Sequence, residues 1–235
     1  MCRFKKSGEV TVFLSLLCLV ICGLIAATVK SARISYLKNS IENITDISLK
    51  SAMSEYNKPL FDKYGLLYVD TTYKGVLDGG DESFINHLSQ YMDANLKGYS
   101  SGNEQLYYIS SEVESSEYAN SNDYESVFSQ IISYMTNVKG MSASLSDKEI
   151  VKEYLYLMFP DELDYINAEE LEDEVNDMTY DELRDYCIHL IRKNMRENSY
   201  EEFDFNNLLS DISVTVYTKT STGKIYECTK SYSLN

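Results

Sequence analysis

The chain has 235 residues, room for one membrane segment and one soluble domain of ordinary size. Its formal net charge is −16; residues 1–30 hold Arg3, Lys5, Lys6 and Lys30 against Glu9, which leaves 17 of the 21 basic and 36 of the 37 acidic side chains to the rest, a net of −19. So acidic a domain repels phosphate backbones and anionic lipid headgroups, which excludes nucleic acid as a partner.

Residues 1–9 read as a short basic leader. Val10 to Val29, VTVFLSLLCLVICGLIAATV, is a run of 20 residues without a charge. At about 1.5 Å per residue it spans about 30 Å, the thickness of a hydrocarbon core. Apolar on every side, it predicts a transmembrane helix over 10–29. The competing reading is a secretory signal cleaved after Ile25-Ala26-Ala27, but signal cores run about 7–15 residues and this one is longer. Arg3, Lys5 and Lys6 before the span are nearly balanced by Lys30, Arg33 and Lys38 after it, so charge alone does not orient it. Gly23, Ala27 and Ser31 recur every fourth residue and share one face, where small side chains let a second helix approach.

From Lys30 to Lys58 there is no Pro or Gly. Ile34, Leu37, Ile41 and Ile44, then Ala52, Met53 and Tyr56, keep helical spacing. This predicts an amphipathic continuation of the same helix over 30–58, ended or kinked by Pro59. Its apolar stripe needs a partner, which residues 59–235 can supply.

That acidic remainder reads as an α+β domain. Gly65 to Asp70 is a strand or an extended connection. Glu82 to Lys97 is a helix with Ile85, Leu88, Met92 and Leu96 on one face and Gly98 as its stop. Gln105 to Val113 alternates, with Tyr107, Ile109 and Val113 on one side of a half-buried strand. Three capping boxes, Asn122 with Glu125, Ser146 with Glu149 and Thr179 with Glu182, open helices that end near Val138, Phe159 and Asn198. Ile212 to Thr218 and Lys224 to Tyr232 flank Ser221-Thr222-Gly223 as a β-hairpin.

Chemistry-bearing patterns are sparse. His87 and His189 are far apart and read as helix-surface residues, since no second ligand sits at the spacing of a helical zinc motif. There is no nucleophile elbow, phosphate loop or dinucleotide fingerprint, so neither an enzyme nor a cofactor is expected. Asp161 to Asp185 contains twelve acids and one Arg. They read as solvated helix faces, with Leu163, Leu171, Val175 and Leu183 on the buried side. Cys18 and Cys22 lie in the apolar run as small packing residues. Cys187 and Cys228 fall in the domain and could form a disulfide in an oxidising compartment; two isolated thiols is the default. The 21 tyrosines fill apolar stripes or offer a sticky exterior.

Two stretches carry a family resemblance: Gly8-Glu9-Val10-Thr11-Val12-Phe13-Leu14-Ser15-Leu16 after a basic leader, and Tyr56-Asn57-Lys58-Pro59-Leu60-Phe61-Asp62-Lys63-Tyr64-Gly65-Leu66. The layout resembles minor pseudopilins of the Tad (Flp) type, and looks close to an uncharacterised family of anchored proteins associated with Tad pilus systems. The resemblance covers about residues 5–70. It implies a pilin-like layout, a cytoplasmic N-terminus and an extracytoplasmic domain. It also implies a prepilin peptidase cutting between Gly8 and Glu9, and other pilin-like subunits or pilus assembly proteins as partners. Where typical pilins carry Glu at the fifth residue after the cut, this chain has Phe13. The alternative is a cell-surface binding module tethered by the same helix and not incorporated into a pilus.

Overall fold

The computed structural model describes residues 6–73, 78–97, 99–101, 104–142, 144–160, 175–198 and 203–234. The first element, α1 (Lys6–Met53), is a single helix of 48 residues. Its first half is bare and its second half is built into the domain, with Leu37, Ile41, Ile44, Leu49, Ala52 and Met53 all buried. The predicted stripe packs from Leu37 to Met53, whereas Ile34 is only half-buried and Tyr56, beyond the helix end, is 37% exposed.

The helix stops at Met53, earlier than expected, and Pro59 opens the next helix instead of closing this one. In α2 (Lys58–Tyr64) the Asn57 side chain accepts a hydrogen bond from the Leu60 backbone N–H at 3.1 Å, and Pro59 occupies the first turn, where a missing N–H costs nothing. Gly65 ends α2 at φ 71°, and a Cβ there would stand 2.5 Å from the Tyr134 ring. Only glycine suits both demands.

Two further strands, β1 (Val69–Asp70) and β2 (Ser100–Ser101), bracket helix α3 (Gly80–Leu96). Then come β3 (Glu104–Tyr118), α4 (Glu125–Ser133) with a π-helical turn over Tyr134–Val138, α5 (Asp147–Met158), α6 (Tyr180–Glu197), β4 (Leu208–Thr220) and β5 (Ile225–Ser233). All strand pairs are antiparallel: β3 lies along one side of β4, while β1 and β5 share its other side, and β2 pairs with the start of β3. The expected hairpin is β4–β5, turning through Gly223 at φ 86°. Mixed helix and antiparallel sheet is the architecture.

β3 corrects one expectation. Tyr107 and Ile109 are 44% and 42% exposed, whereas Leu106 is buried and Val113 packs on the core. A bulge between Tyr108 and Ser110 adds one residue and switches the inward parity from even to odd, and a second between Val113 and Ser115 switches it back for Ser116 and Tyr118.

The capping boxes divide two to one. Ser146–Glu149 and Thr179–Glu182 form complete reciprocal boxes at the starts of α5 and α6. Asn122 does not cap α4: Asn122, Asp123 and Tyr124 take φ of 47°, 52° and 63°, a left-handed turn that replaces the box. The ends near Phe159 and Asn198 agree with the structure, and the expected end at Val138 is that of the π turn.

Among the described residues, apolar side chains gather in two clusters. One joins α1 and α3 to the inner face of the sheet; Ile85 only borders it, and Phe84 takes the buried place beside Leu88, Met92 and Leu96. The other is built by α2, α4, α5 and α6, with Tyr64, Tyr154, Phe159 and Phe205 at its centre. Tyr68 and Leu208 belong to the helical cluster, and their chain neighbours Val69 and Leu209 to the sheet cluster. The short β1–β4 ladder thus separates them, since consecutive strand residues face opposite ways.

Candidate functional site

The bare half of α1 is the feature with the plainest physical consequence. Phe13 is 67% exposed and Leu19 70%, and the large apolar residues between Val10 and Val29 are exposed on every side. One helix among the described residues is long and apolar enough to cross a membrane. In water such a surface would be costly at about 25 cal/mol per Å² of apolar area.

Gly23, Ala27 and Ser31 all lie exposed on this segment, and a Cβ added at Gly23 meets nothing within 4 Å. The small-residue face is therefore open along its length. Gly8 and Glu9 lie in the first turns of α1, and the Glu9 side chain is outside the described set. Cys18 and Cys22 are free and exposed on the same segment.

Where α1 meets the domain, polar contacts with α3 and the residues after it flank the apolar ones. The Ser40 hydroxyl and the Tyr99 phenol share a hydrogen bond, and the Tyr99 hydroxyl donates to Tyr36 at 3.1 Å. Asn95 donates to the Ser48 hydroxyl at 2.9 Å. Beyond the helix end, Glu55 takes His87 Nε2 at 2.9 Å and the Tyr91 hydroxyl on its other oxygen. The Tyr73 ring lies over His87 with centroids 4.0 Å apart. His87 is thus a tie between α3 and the end of α1 rather than a free surface residue, while His189 is exposed on α6 as expected.

The tyrosines here are held neutral. The bond to the Glu55 carboxylate pushes the Tyr91 phenol up to about 12. Burial pushes Tyr73 up, with the charge of Glu55 adding to it. Tyr118 is raised by burial and by donating to Asp81 at 2.8 Å. Glu55 thus accepts from an imidazole and a phenol and Asp81 from the Tyr118 and Ser116 hydroxyls, an arrangement suited to locking two elements together.

Two clefts of about 300 and 450 Å³ flank Arg184 on α6. Its guanidinium lies 4.7 Å from the Phe128 ring centroid and donates to the Asp123 carbonyl, so it braces the left-handed turn. Among the described residues no three His, Cys, Asp or Glu side chains are placed to hold a metal ion. Residues 161–174 of the acidic stretch, Leu163 and Leu171 included, lie outside the described residues; Val175 and Leu183 are buried as expected.

Cys187 and Cys228 are both free and buried, and do not form the disulfide. Cys187 sits in the helical cluster, where burial pushes its thiol up, and Cys228 sits in the sheet cluster facing α1.

The segment from Tyr56 to Leu66, which carries the more specific part of the resemblance, is the α2 turn itself. Asn57 caps, Pro59 starts, Leu60, Tyr64 and Leu66 are fully buried, and Gly65 stops the helix. Glu55, Tyr73 and Tyr118 went unnoticed in the sequence. Only His87 and Tyr91, four apart on one helix face, hinted at a shared partner. Comparison with known protein families, curated proteins and solved structures found no match to this chain.

Proposed function

We propose that this protein is a membrane-anchored structural component, like a minor pseudopilin, of a Tad-type pilus or a related secretion or assembly apparatus. The observation that carries this reading is the unbroken α1, bare and apolar over Val10–Val29 and buried as the spine of a sheet from Leu37 onward. A helix that serves both as anchor and as core element is the pilin-like layout. The N-terminus stays in the cytoplasm and the acidic domain stands outside. The open face of Gly23, Ala27 and Ser31 packs against other subunits, because close backbone approach is what associates helices in lipid. A prepilin peptidase cuts between Gly8 and Glu9.

A second reading, a surface-binding module tethered by the same helix, is favoured by Phe13 standing where pilins carry Glu. Intact-mass measurement on membrane-extracted protein decides between them. Loss of Met1 to Gly8 supports assembly, and an uncut chain supports the tether. An Ala27→Cys variant is expected to give crosslinked oligomers in the membrane, and monomer alone would count against subunit packing.

A further inference from the structure

The contacts along α1 act as a ruler for the domain. Ser40 meets Tyr99, Ser48 meets Asn95 and Glu55 meets His87, so α3 runs antiparallel to α1 and its C-terminal end points back toward the apolar segment. β5 runs the other way: Cys228 lies beside Thr45, and Tyr232 acts on Lys50. Ile225 is three strand residues before Cys228, about 10 Å at 3.3 Å per residue. That puts the β4–β5 turn near the level of Lys38, roughly 14 Å along the helix from Val29 at 1.5 Å per residue. A headgroup layer is about 5–7 Å thick on each side of the hydrocarbon, and membrane helices tilt by about 20°. One side of this domain end is therefore brought within side-chain reach of the headgroups.

The chemistry of that end differs from the rest of the domain. Tyr107, Lys219 and Ile225 are direct cross-strand neighbours on the outer face of the sheet, and all three are exposed, Ile225 by 62%. Lys224 in the turn lies 4.8 Å from the Tyr226 ring centroid. Across the sheet, exposed Lys97 follows α3, and Tyr36 stacks on Tyr99 with centroids 6.3 Å apart. A cleft of about 390 Å³, lined by Lys97, Tyr99, Tyr107 and Tyr108 and by Asp93, lies at the same end. One row farther from the apolar segment the outer face turns acidic, with Tyr217 surrounded by Glu112, Glu114 and Glu227. The strong negative charge of the domain is thus not spread evenly. Charges beyond about 8 Å are screened at physiological salt, so the acids farther out than this first row do not hold this end away from a surface.

We infer that this end is a lipid-contact collar, in which Tyr107, Lys219, Lys224 and Ile225, with Lys97 and Tyr36 around the helix, rest on the phospholipid headgroups of the membrane that α1 crosses. The inference rests on the anchored reading above. Tyrosine and isoleucine supply apolar bodies for the boundary layer, and lysine stems carry ammonium groups to the phosphates. Contact on this side fixes the domain against the bilayer and leaves its acidic remainder facing outward.

The test uses the full chain in lipid nanodiscs of phosphatidylcholine with phosphatidylglycerol, read by amide hydrogen exchange. Backbone amides of the turn at Ser221–Lys224 are expected to exchange about tenfold slower than in the double variant Lys219→Glu/Lys224→Glu, with Ser231 unchanged. Equal rates in the two proteins, with both floating with vesicles, would overturn the collar and leave the anchor standing. Failure of the unaltered chain to float with vesicles would remove both. Protection that tracks the number of protein copies per disc, and not lipid charge, would assign this end to a second copy and overturn the proposal.

Discussion

The helical core is larger than the sheet core, and the two are made in different ways. The sheet core takes six of its buried residues from α1, so the bare helix and the sheet are one piece of structure. The helical core takes none from α1 among the described residues, and closes on its own aromatic centre. The lesson is that the apolar segment is not an appendage: half of the domain is folded around its continuation.

The comparison breaks most visibly by truncation. A chain beginning at Ser31 keeps Leu37 to Met53 and is expected to fold. One beginning at Ser54 loses Ala52 and five large buried side chains, the latter worth about 1.5–3 kcal/mol each, on the order of the whole stability of a domain. Circular dichroism and gel filtration should find the second chain with an unfolded sheet. A stable, monomeric sheet in that chain would show that α1 is dispensable.

Paired cavities come next. Leu88→Ala in the sheet core and Leu155→Ala in the helical core, both fully buried, should each cost about 2–5 kcal/mol. Because β4 places Leu208 in one core and Leu209 in the other, both variants should lower a single shared unfolding midpoint. Two resolved calorimetric transitions would separate the cores.

A smaller loss is expected inside the helical core alone. The fully buried Tyr154 donates its hydroxyl to the Tyr64 carbonyl at 2.8 Å, and Tyr154→Phe should cost about 1–2 kcal/mol in denaturant melts. Burial raises the Tyr154 phenol well above its ordinary value of 10, and Tyr68 shifts the same way for the same reason. The folded state favours the neutral phenol, so this stability is whole below about pH 10 and is lost as pH rises toward the folded values. Absorbance at the phenolate band should show these tyrosines ionising only together with unfolding.

The caps give the smallest effect. Thr179→Ala or Ser146→Ala should each lower the thermal midpoint by about 2–4 °C. Glu149 and Glu182 are held below the usual carboxylate range by backbone and side-chain hydrogen bonds from those caps. Their contribution is present above the ordinary carboxylate value and fades as pH falls through the lowered one.

What could be read in advance was what depends on local pattern. An uncharged run, a helical stripe, two reciprocal capping boxes and a hairpin around Gly223 all declare themselves within a few residues of each other. What could not be read depends on distant partners. Pro59 looked like a stop because Asn57 could not be seen capping the next helix, and the inward side of β3 depended on a bulge that only its pairing with β4 defines. Three consecutive left-handed residues at Asn122–Tyr124 are rare, and the Arg184 brace that holds them lies 61 residues away. The tie of His87 and Tyr91 to Glu55 spans more than thirty positions, and its one local trace is their spacing of four on a helix face.

The uninterrupted course of α1 has a mechanical consequence. No loop, proline or late glycine gives the shaft a swivel between its bare end and the sheet, so a twist or a push applied at one end arrives at the other almost undiminished. A neighbour that turns the shaft about its axis turns the whole sheet by the same angle, and the body above can be aimed from below.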